Sequence, residues 1–175
     1  MKSFVLKGQI CTSASMDEIE ITENGFLVVE DGVVRGVFRT LPSRFAELPL
    51  QDCGGCLIVP GMTDLHVHAP QFAFRGLGMD LELLEWLNTY TFPEEAKYAE
   101  LDYADRAYTS FAEHLKRSTT TRAAVFATIH LPATRLLMEK LEASGLVTYV
   151  GKVNMNRNCP PYLRELSTNH SLRDT

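Results

Sequence analysis

The pattern of hydrophobic positions changes near residue 60. Before that point, apolar segments at residues 4–10 and 26–38 are interrupted by the dipeptides Asn24-Gly25 and Asp31-Gly32. Asn-Gly and Asp-Gly between apolar runs are typical of β-hairpins. We therefore expect short antiparallel strands in these two segments.

Beyond residue 60, apolar strand patterns alternate with helical ones. Three segments are apolar at nearly every position, which predicts parallel strands whose two faces are both covered. Between them, apolar residues recur at steps of three and four, which predicts amphipathic crossover helices. The predicted strands are 62–68, 119–129 and 146–155, and the predicted helices are 80–90 with Asp80 as N-cap, one capped by Asp102, 133–144 ending at Gly145, and one starting within 167–171.

Composition narrows the class of protein. The 175 residues are 45% hydrophobic and 22% charged, which is typical of a globular protein with a core. A net charge of -5 without a basic run argues against nucleic-acid partners. No run of about 18 apolar residues is present, so we expect no membrane span, and without a signal-peptide pattern we expect a cytoplasmic protein with free thiols. The pair Cys53 and Cys56 is accordingly interpreted as incidental.

His66 and His68 are the candidate metal ligands. They are two residues apart in a predicted strand, so their side chains leave the same face and both imidazoles can reach one ion. Such a pair also occurs by chance, and two ordinary strand histidines are the alternative. The pair lies at the C-terminal end of the first strand of an α/β unit, where parallel barrels have their catalytic face.

Residues 60–68, Pro-Gly-Met-Thr-Asp-Leu-His-Val-His, resemble the metal motif of the amidohydrolase superfamily. Residues 68–72, 84–93 and 126–130 are similar to guanine deaminases within it. The resemblance covers the whole chain and implies an α/β fold. Residues 61–175 would form the first β/α units of an incomplete metal-dependent amidohydrolase TIM barrel, and residues 1–60 part of a small β-sandwich domain that precedes it.

The resemblance also implies an activity, the hydrolytic deamination of guanine to xanthine and ammonia. It assigns one zinc ion per subunit to His66 and His68, contacts with the purine to His68 and Gln71, and a homodimer to the complete protein. Further zinc ligands and a proton-transferring glutamate come from later barrel strands in this family. We therefore expect no catalytic residue within this chain, which would be an inactive N-terminal portion.

Two other functions stay open. One is another aminohydrolase of the same superfamily, such as a triazine or adenosine-type deaminase. The other is a truncated product without catalytic activity.

Several single residues also have two interpretations. Gln71 could be an ordinary loop amide, and Asp64 is expected to serve packing and hydrogen bonding rather than to support the metal. Three aromatic residues could line a flat purine pocket: Trp86, Tyr90 and Phe92. For Trp86, a position in the helix core is the favoured interpretation. The remaining histidines are expected to be structural or on the surface: His114, His130 and His170.

Overall fold

The computed structural model describes residues 2–175, which divide into two compact units at the boundary between Pro60 and Gly61. No helix within this range is long and apolar enough to cross a membrane. The first unit contains β1 (Phe4–Ser13), β2 (Ile19–Glu30), β3 (Val33–Phe38), a 3-10 turn (Ser43–Phe45) and β4 (Leu50–Ile58).

The first unit is a four-stranded sheet with the order β3-β2-β1-β4. β2 is antiparallel to β1 and β3, as expected, whereas β4, for which the sequence predicted no direction, is parallel to β1. The chain between β3 and β4 crosses over one face and buries Phe45 there against Val5 and Val28. This crossover lets β4 enter in the same direction as β1.

The two predicted turns in this sheet differ in outcome. Asp31-Gly32 forms the turn between β2 and β3, with φ angles of 54° and 79°. Asn24-Gly25 does not end a strand, because β2 runs through it and Gly25 pairs with Gly8 beside a shift in register. The positive φ of Asn24, 49°, thus belongs to a bulge rather than to a hairpin turn.

The second unit contains three parallel strands in the order β5-β6-β7. Its strands are β5 (Met62–His68), β6 (Thr120–Phe126) and β7 (Val147–Gly151). Its helical segments are a 3-10 turn (Ala69–Phe74), α1 (Leu83–Trp86), a π-helical turn (Leu87–Thr91), α2 (Phe92–Lys97), α3 (Leu101–Lys116), α4 (Leu131–Ser144), a second 3-10 turn (Pro161–Leu163) and α5 (Thr168–Arg173).

β5 has its predicted bounds, whereas β6 and β7 are shorter than predicted. After β6, the Thr128 carbonyl accepts from Thr134 Oγ1 (3.1 Å), which binds the chain to the first turn of α4. After β7, the Met155 amide donates to the Glu165 carboxylate (2.6 Å) and leaves the sheet direction. Single backbone hydrogen bonds still join the two segments beyond these ends, from the Ala127 amide to Gly151 (2.8 Å) and from the Val153 amide to Thr128 (3.2 Å).

One face of the parallel sheet packs on α3 and α4, through Ala123 and Val125. The other face exposes Phe126 and Tyr149, the latter at 75%. The apolar pattern predicts cover on both faces only where the remaining barrel strands are present; within residues 2–175 the second face is open.

The amphipathic helices lie close to their predicted positions. α3 buries the predicted apolar positions Tyr108 and Phe111, but its N-cap is Glu100 and Asp102 lies in the first turn. α4 ends at Gly145, whose φ of 80° is the left-handed conformation expected after a helix.

The helix predicted at 80–90 begins later and ends later. Glu82 is extended (φ −65°, ψ 151°), so α1 starts at Leu83 and Asp80 is not its N-cap. The helical path then continues through the π-helical turn to Lys97. The helix predicted within 167–171 is present as α5, and its N-cap Ser167 accepts from the His170 amide (3.1 Å).

Candidate metal and purine site

The structure brings the two predicted metal ligands together at the carboxyl end of β5. His66 and His68 project from the same face, and their Nε2 atoms lie 3.1 Å apart. Two nitrogens bound to one tetrahedral zinc ion at about 2.0–2.1 Å each would be separated by about 3.3 Å. The spacing of the two nitrogens therefore fits a shared metal ion.

The surroundings of His68 favour the neutral imidazole that a metal ligand requires. Burial lowers the pKa of His68, and the neighbouring His66 ring lowers it further. Asp64 accepts a hydrogen bond from the backbone amide of His66 (3.0 Å). This contact fixes the backbone of β5 and leaves the imidazole ring free.

Phe126 packs against both histidines from β6. Its ring is stacked on His68, with centroids 4.7 Å apart and an interplanar angle of 13°. It is tilted against His66, at 4.8 Å and 54°. The three rings thus form one cluster on the exposed face of the sheet.

Gln71 lies in the 3-10 turn that directly follows His68. Side-chain donors bind the carbonyl groups of both its neighbours in sequence. The Tyr98 hydroxyl donates to the carbonyl oxygen of Pro70 (3.3 Å), and the Arg75 guanidinium donates to that of Phe72 (2.8 Å). The backbone on each side of Gln71 is therefore tied to other residues.

His66, His68 and Gln71 line one pocket with a volume of about 620 Å³. Its wall is mostly apolar, and the sequence indicated only one of the wall residues, Trp86, as a candidate. The larger apolar side chains of the wall are Phe72, Phe74, Leu77, Met79, Leu83, Trp86, Leu87 and Phe111.

Trp86 combines the two roles considered for it, since it is partly buried and also lines the pocket. It is half-buried, lines the pocket and donates its indole N–H to the carbonyl oxygen of Leu77 (3.1 Å). This bond ties the glycine-containing loop that precedes α1 to the helix. Tyr90 and Phe92 do not line this pocket, and Tyr90 instead stacks on Phe74 (6.2 Å, 14°).

Other candidate residues lie apart from the pocket. His130 follows β6, its Nε2 is buried without a hydrogen-bond partner, and burial lowers its pKa. His114 and His170 are exposed, as expected. The four cysteines, including Cys53 and Cys56 on β4, are free thiols. Across residues 2–175, no three or more His, Cys, Asp or Glu side chains are grouped to hold a metal ion.

Comparison with known proteins identifies the family of the chain. The sequence profile of the amidohydrolase family matches residues 57–175. The chain belongs to the amidohydrolase family.

Guanine deaminases are among the similar amidohydrolases. Guanine deaminase of Dictyostelium discoideum is 31% identical over 98% of this chain, and that of Mus musculus is 42% identical over 67% of it. The crystal structure of guanine deaminase from C. acetobutylicum, with guanine bound in its active site, matches 99% of the chain at a TM-score of 0.90 and 43% identity.

The chain spans only part of each of these relatives. It covers 42% of the Dictyostelium protein, 26% of the mouse protein and 41% of the C. acetobutylicum chain.

Proposed function

We propose that these residues form part of the zinc and purine site of an enzyme that hydrolyses guanine to xanthine and ammonia. The observation that carries the proposal is the pocket that His66, His68 and Gln71 line together, with the two Nε2 atoms 3.1 Å apart. The similarity to guanine deaminases over nearly the whole chain supports the choice of substrate.

The metal in this proposal is one zinc ion per subunit. Zinc supplies the activation of water for hydrolysis when it is bound. His66 and His68 provide two nitrogen ligands, which is half of a tetrahedral set. The remaining ligands and the group that transfers protons to the departing amine are therefore assigned to other parts of the protein, and we expect the 175 residues alone to be inactive.

The substrate in this proposal is a flat purine. The amide of Gln71 offers a donor and an acceptor, which suits the alternating donors and acceptors on the edge of guanine. The aromatic and aliphatic wall of the pocket suits the faces of the ring. Leu77 and Trp86 contribute to this wall from the loop and from the helix that their hydrogen bond connects.

We further propose that β5, β6 and β7 are the first strands of a (β/α)₈ barrel in residues 61–175. Their parallel order with intervening helices, and the exposed face that bears His66 and His68, support this interpretation. Residues 1–60 would then be part of a β-sandwich domain. The resemblance also implies a cytoplasmic homodimer.

The proposal is tested on the protein expressed from its complete natural gene. We expect about one zinc per subunit by elemental analysis, and release of ammonia and xanthine from guanine at roughly 1 per second or faster. His66→Ala and His68→Ala should lose zinc and turnover. His170→Ala is the matched control, because this exposed histidine lies on α5, where its Nδ1 atom is 3.6 Å from the Asp174 carboxylate.

Adenosine and aminotriazines are assayed in parallel as competing substrates. Faster turnover of either than of guanine would overturn the choice of substrate. Full zinc occupancy in His66→Ala or His68→Ala would overturn the assignment of the ligands.

A further inference from the structure

Within residues 2–175, neither imidazole of His66 and His68 donates to a carboxylate or a carbonyl group. Metal-binding histidines generally donate their second ring N–H to a carboxylate or a carbonyl group, which fixes the ring. Here the carboxylate of Asp64 accepts from the backbone amide of His66. Within residues 2–175, the two Nε2 atoms contact each other and the rings have no other hydrogen-bond partner.

Phe126 supplies contacts that could take the place of such a partner. In the pairing of β5 with β6, its Cα lies opposite that of His68, so the two side chains are neighbours on one face. Its ring stacks on His68 at 4.7 Å and packs on His66 at 4.8 Å. No other aromatic residue in this range packs on both histidines.

We propose that Phe126 is a positioning residue that holds the imidazoles of His66 and His68 so that their Nε2 atoms converge on one metal ion. The inference rests on the zinc site of the proposed function and extends it to a residue that binds neither metal nor substrate. It accounts for the orientation of two rings that, within residues 2–175, have a polar contact with each other at 3.1 Å but no hydrogen bond to a neighbouring element.

The physical basis is the softness of the terminal torsion of histidine. Rotation about the bond between Cβ and the ring is only weakly restricted by the side chain itself. A flat ring stacked on one face at 13° removes most of the alternative orientations of His68. A branched aliphatic side chain of similar size would fill the space without imposing this plane.

The experiment compares three variants of the protein expressed from its complete gene. Phe126→Leu keeps an apolar side chain but loses the flat face, and Phe126→Tyr keeps the face. Val125→Ala is the matched control, because Val125 is the adjacent residue of β6 and packs in the core on the opposite face of the sheet (3% exposed). Zinc affinity is measured by competition with a chelator, and site geometry from the visible absorption of the cobalt(II)-substituted protein.

We expect Phe126→Leu to weaken zinc binding by about tenfold or more, the range observed when a group that orients a ligand is removed. Its cobalt spectrum should change. Phe126→Tyr should stay within about twofold of the wild type, by the same reasoning on ring orientation. Val125→Ala should unfold more easily yet bind zinc with wild-type affinity.

Wild-type zinc affinity and an unchanged cobalt spectrum in Phe126→Leu would overturn the positioning role while leaving the zinc site intact. An equal loss of affinity in Val125→Ala would also overturn it, since general loosening of β6 would then explain the effect. A wild-type protein that binds no zinc would instead overturn the proposed function, and the role of Phe126 with it.

Discussion

Two regions at the carboxyl edge of the same parallel sheet differ in how far their polar side chains are hydrogen-bonded. At the end of β5, His66 and His68 lie in an open pocket, and within residues 2–175 their ring nitrogens make a polar contact only with each other. After β7, Lys152 and Glu165 form an ion pair at 2.6 Å, with side chains only 3% and 6% exposed. The ring nitrogens of the first region are therefore available to a ligand, whereas the polar groups of the second region are nearly all hydrogen-bonded to one another.

The bonding around the ion pair is nearly complete. The Lys152 ammonium has three N–H groups and three acceptors: Glu165 (2.6 Å), the side chain of Asn154 (2.7 Å) and the carbonyl oxygen of Val153 (3.1 Å). Glu165 also accepts from the Met155 amide and the Ser171 hydroxyl. This network fastens the residues after β7 to the edge of the sheet, so we assign it to structure rather than to chemistry.

The largest effect should come from Glu165→Ala. Removing one partner leaves the Lys152 ammonium buried without a counter-charge, which typically costs about 3–5 kcal/mol in unfolding free energy. Urea unfolding followed by circular dichroism measures the loss, and hydrogen exchange should show the residues after β7 opening first. His68→Ala in the same protein should lose zinc with a much smaller loss of stability in the metal-free state.

Lowering the pH should also reduce the free energy of unfolding, through the same carboxylate. Burial would raise the pKa of Glu165, but hydrogen bonds from Lys152, Met155 and Ser171 outweigh it and the pKa is lowered from 4.5. The ionised carboxylate therefore stabilises the fold above pH 4.5, and this contribution disappears as the pH falls through the lowered pKa. A Glu165→Ala variant no less stable than the wild type at neutral pH would contradict the comparison.

The contrast between the two regions also separates what the sequence could predict from what it could not. β5, the buried face of α3 and the convergence of His66 with His68 follow from spacings of two to four residues, which periodicity makes visible. Lys152 and Glu165 are 13 residues apart, and the link between Glu95 and Ile129 spans 34 residues. Such contacts depend on how loops return to the sheet, and no local pattern encodes them.

Local patterns also misplaced three boundaries for a physical reason. Asn24-Gly25 has the composition of a turn, but pairing with β1 on both sides keeps it within β2 as a bulge. Asp80 and Asp102 are good N-cap residues by type, but α1 begins after Asp80, at Leu83, and α3 begins before Asp102, at Leu101. In the first of these three cases, strand pairing overrides the local turn signal.

A second prediction concerns the pocket wall and compares two glycines of one loop. Gly76 and Gly78 both have positive φ, 82° and 65°, but a Cβ on Gly76 meets open space. A Cβ on Gly78 would lie 2.5 Å from Tyr90 and 3.0 Å from Trp86. Gly76→Ala should therefore cost only backbone strain, about 1–2 kcal/mol, and Gly78→Ala about 1–3 kcal/mol more from overpacking.

The two glycine variants should also differ in function. Displacement of Trp86 in Gly78→Ala should raise the KM for guanine without loss of zinc, and by more than Gly76→Ala, because Gly76 also lines the pocket but its added Cβ meets no neighbouring atom. Steady-state kinetics with zinc analysis measures both. Equal KM values in the two variants would show that Trp86 does not contribute to guanine binding.

A third, smaller effect separates two buried tyrosines whose rings lie 4.8 Å apart. The Tyr98 hydroxyl donates to the carbonyl oxygen of Pro70, beside Gln71, whereas the Tyr108 hydroxyl is buried without a partner. Tyr98→Phe should cost about 1 kcal/mol of unfolding free energy, and Tyr108→Phe should be neutral or slightly stabilising. Hydrogen exchange in residues 69–75 should become faster in Tyr98→Phe but not in Tyr108→Phe. Identical exchange in both variants would show that the Tyr98 hydroxyl does not stabilise the turn that carries Gln71.

The smallest effect, and one of opposite sign, is expected at Glu95, which is 5% exposed and accepts a hydrogen bond from the Ile129 amide (3.1 Å) after β6. Burial raises the pKa of Glu95 above 4.5; hydrogen bonds from Thr128 and Ile129 oppose this change, and neighbouring Glu94 adds to it. Between the unfolded and folded pKa values the folded state binds more protons, so this group lowers stability as the pH rises through that window.

Glu95→Gln keeps an acceptor for the Ile129 amide and removes the buried charge. The difference in unfolding free energy between variant and wild type should therefore grow in favour of the variant as the pH rises from 4.5, which is the reverse of the dependence expected from Glu165. Urea titrations of both proteins at a series of pH values measure this difference. If it does not change with pH, Glu95 is as well stabilised in its ionised form as Glu165, and the two buried carboxylates at this edge do not differ in the way proposed.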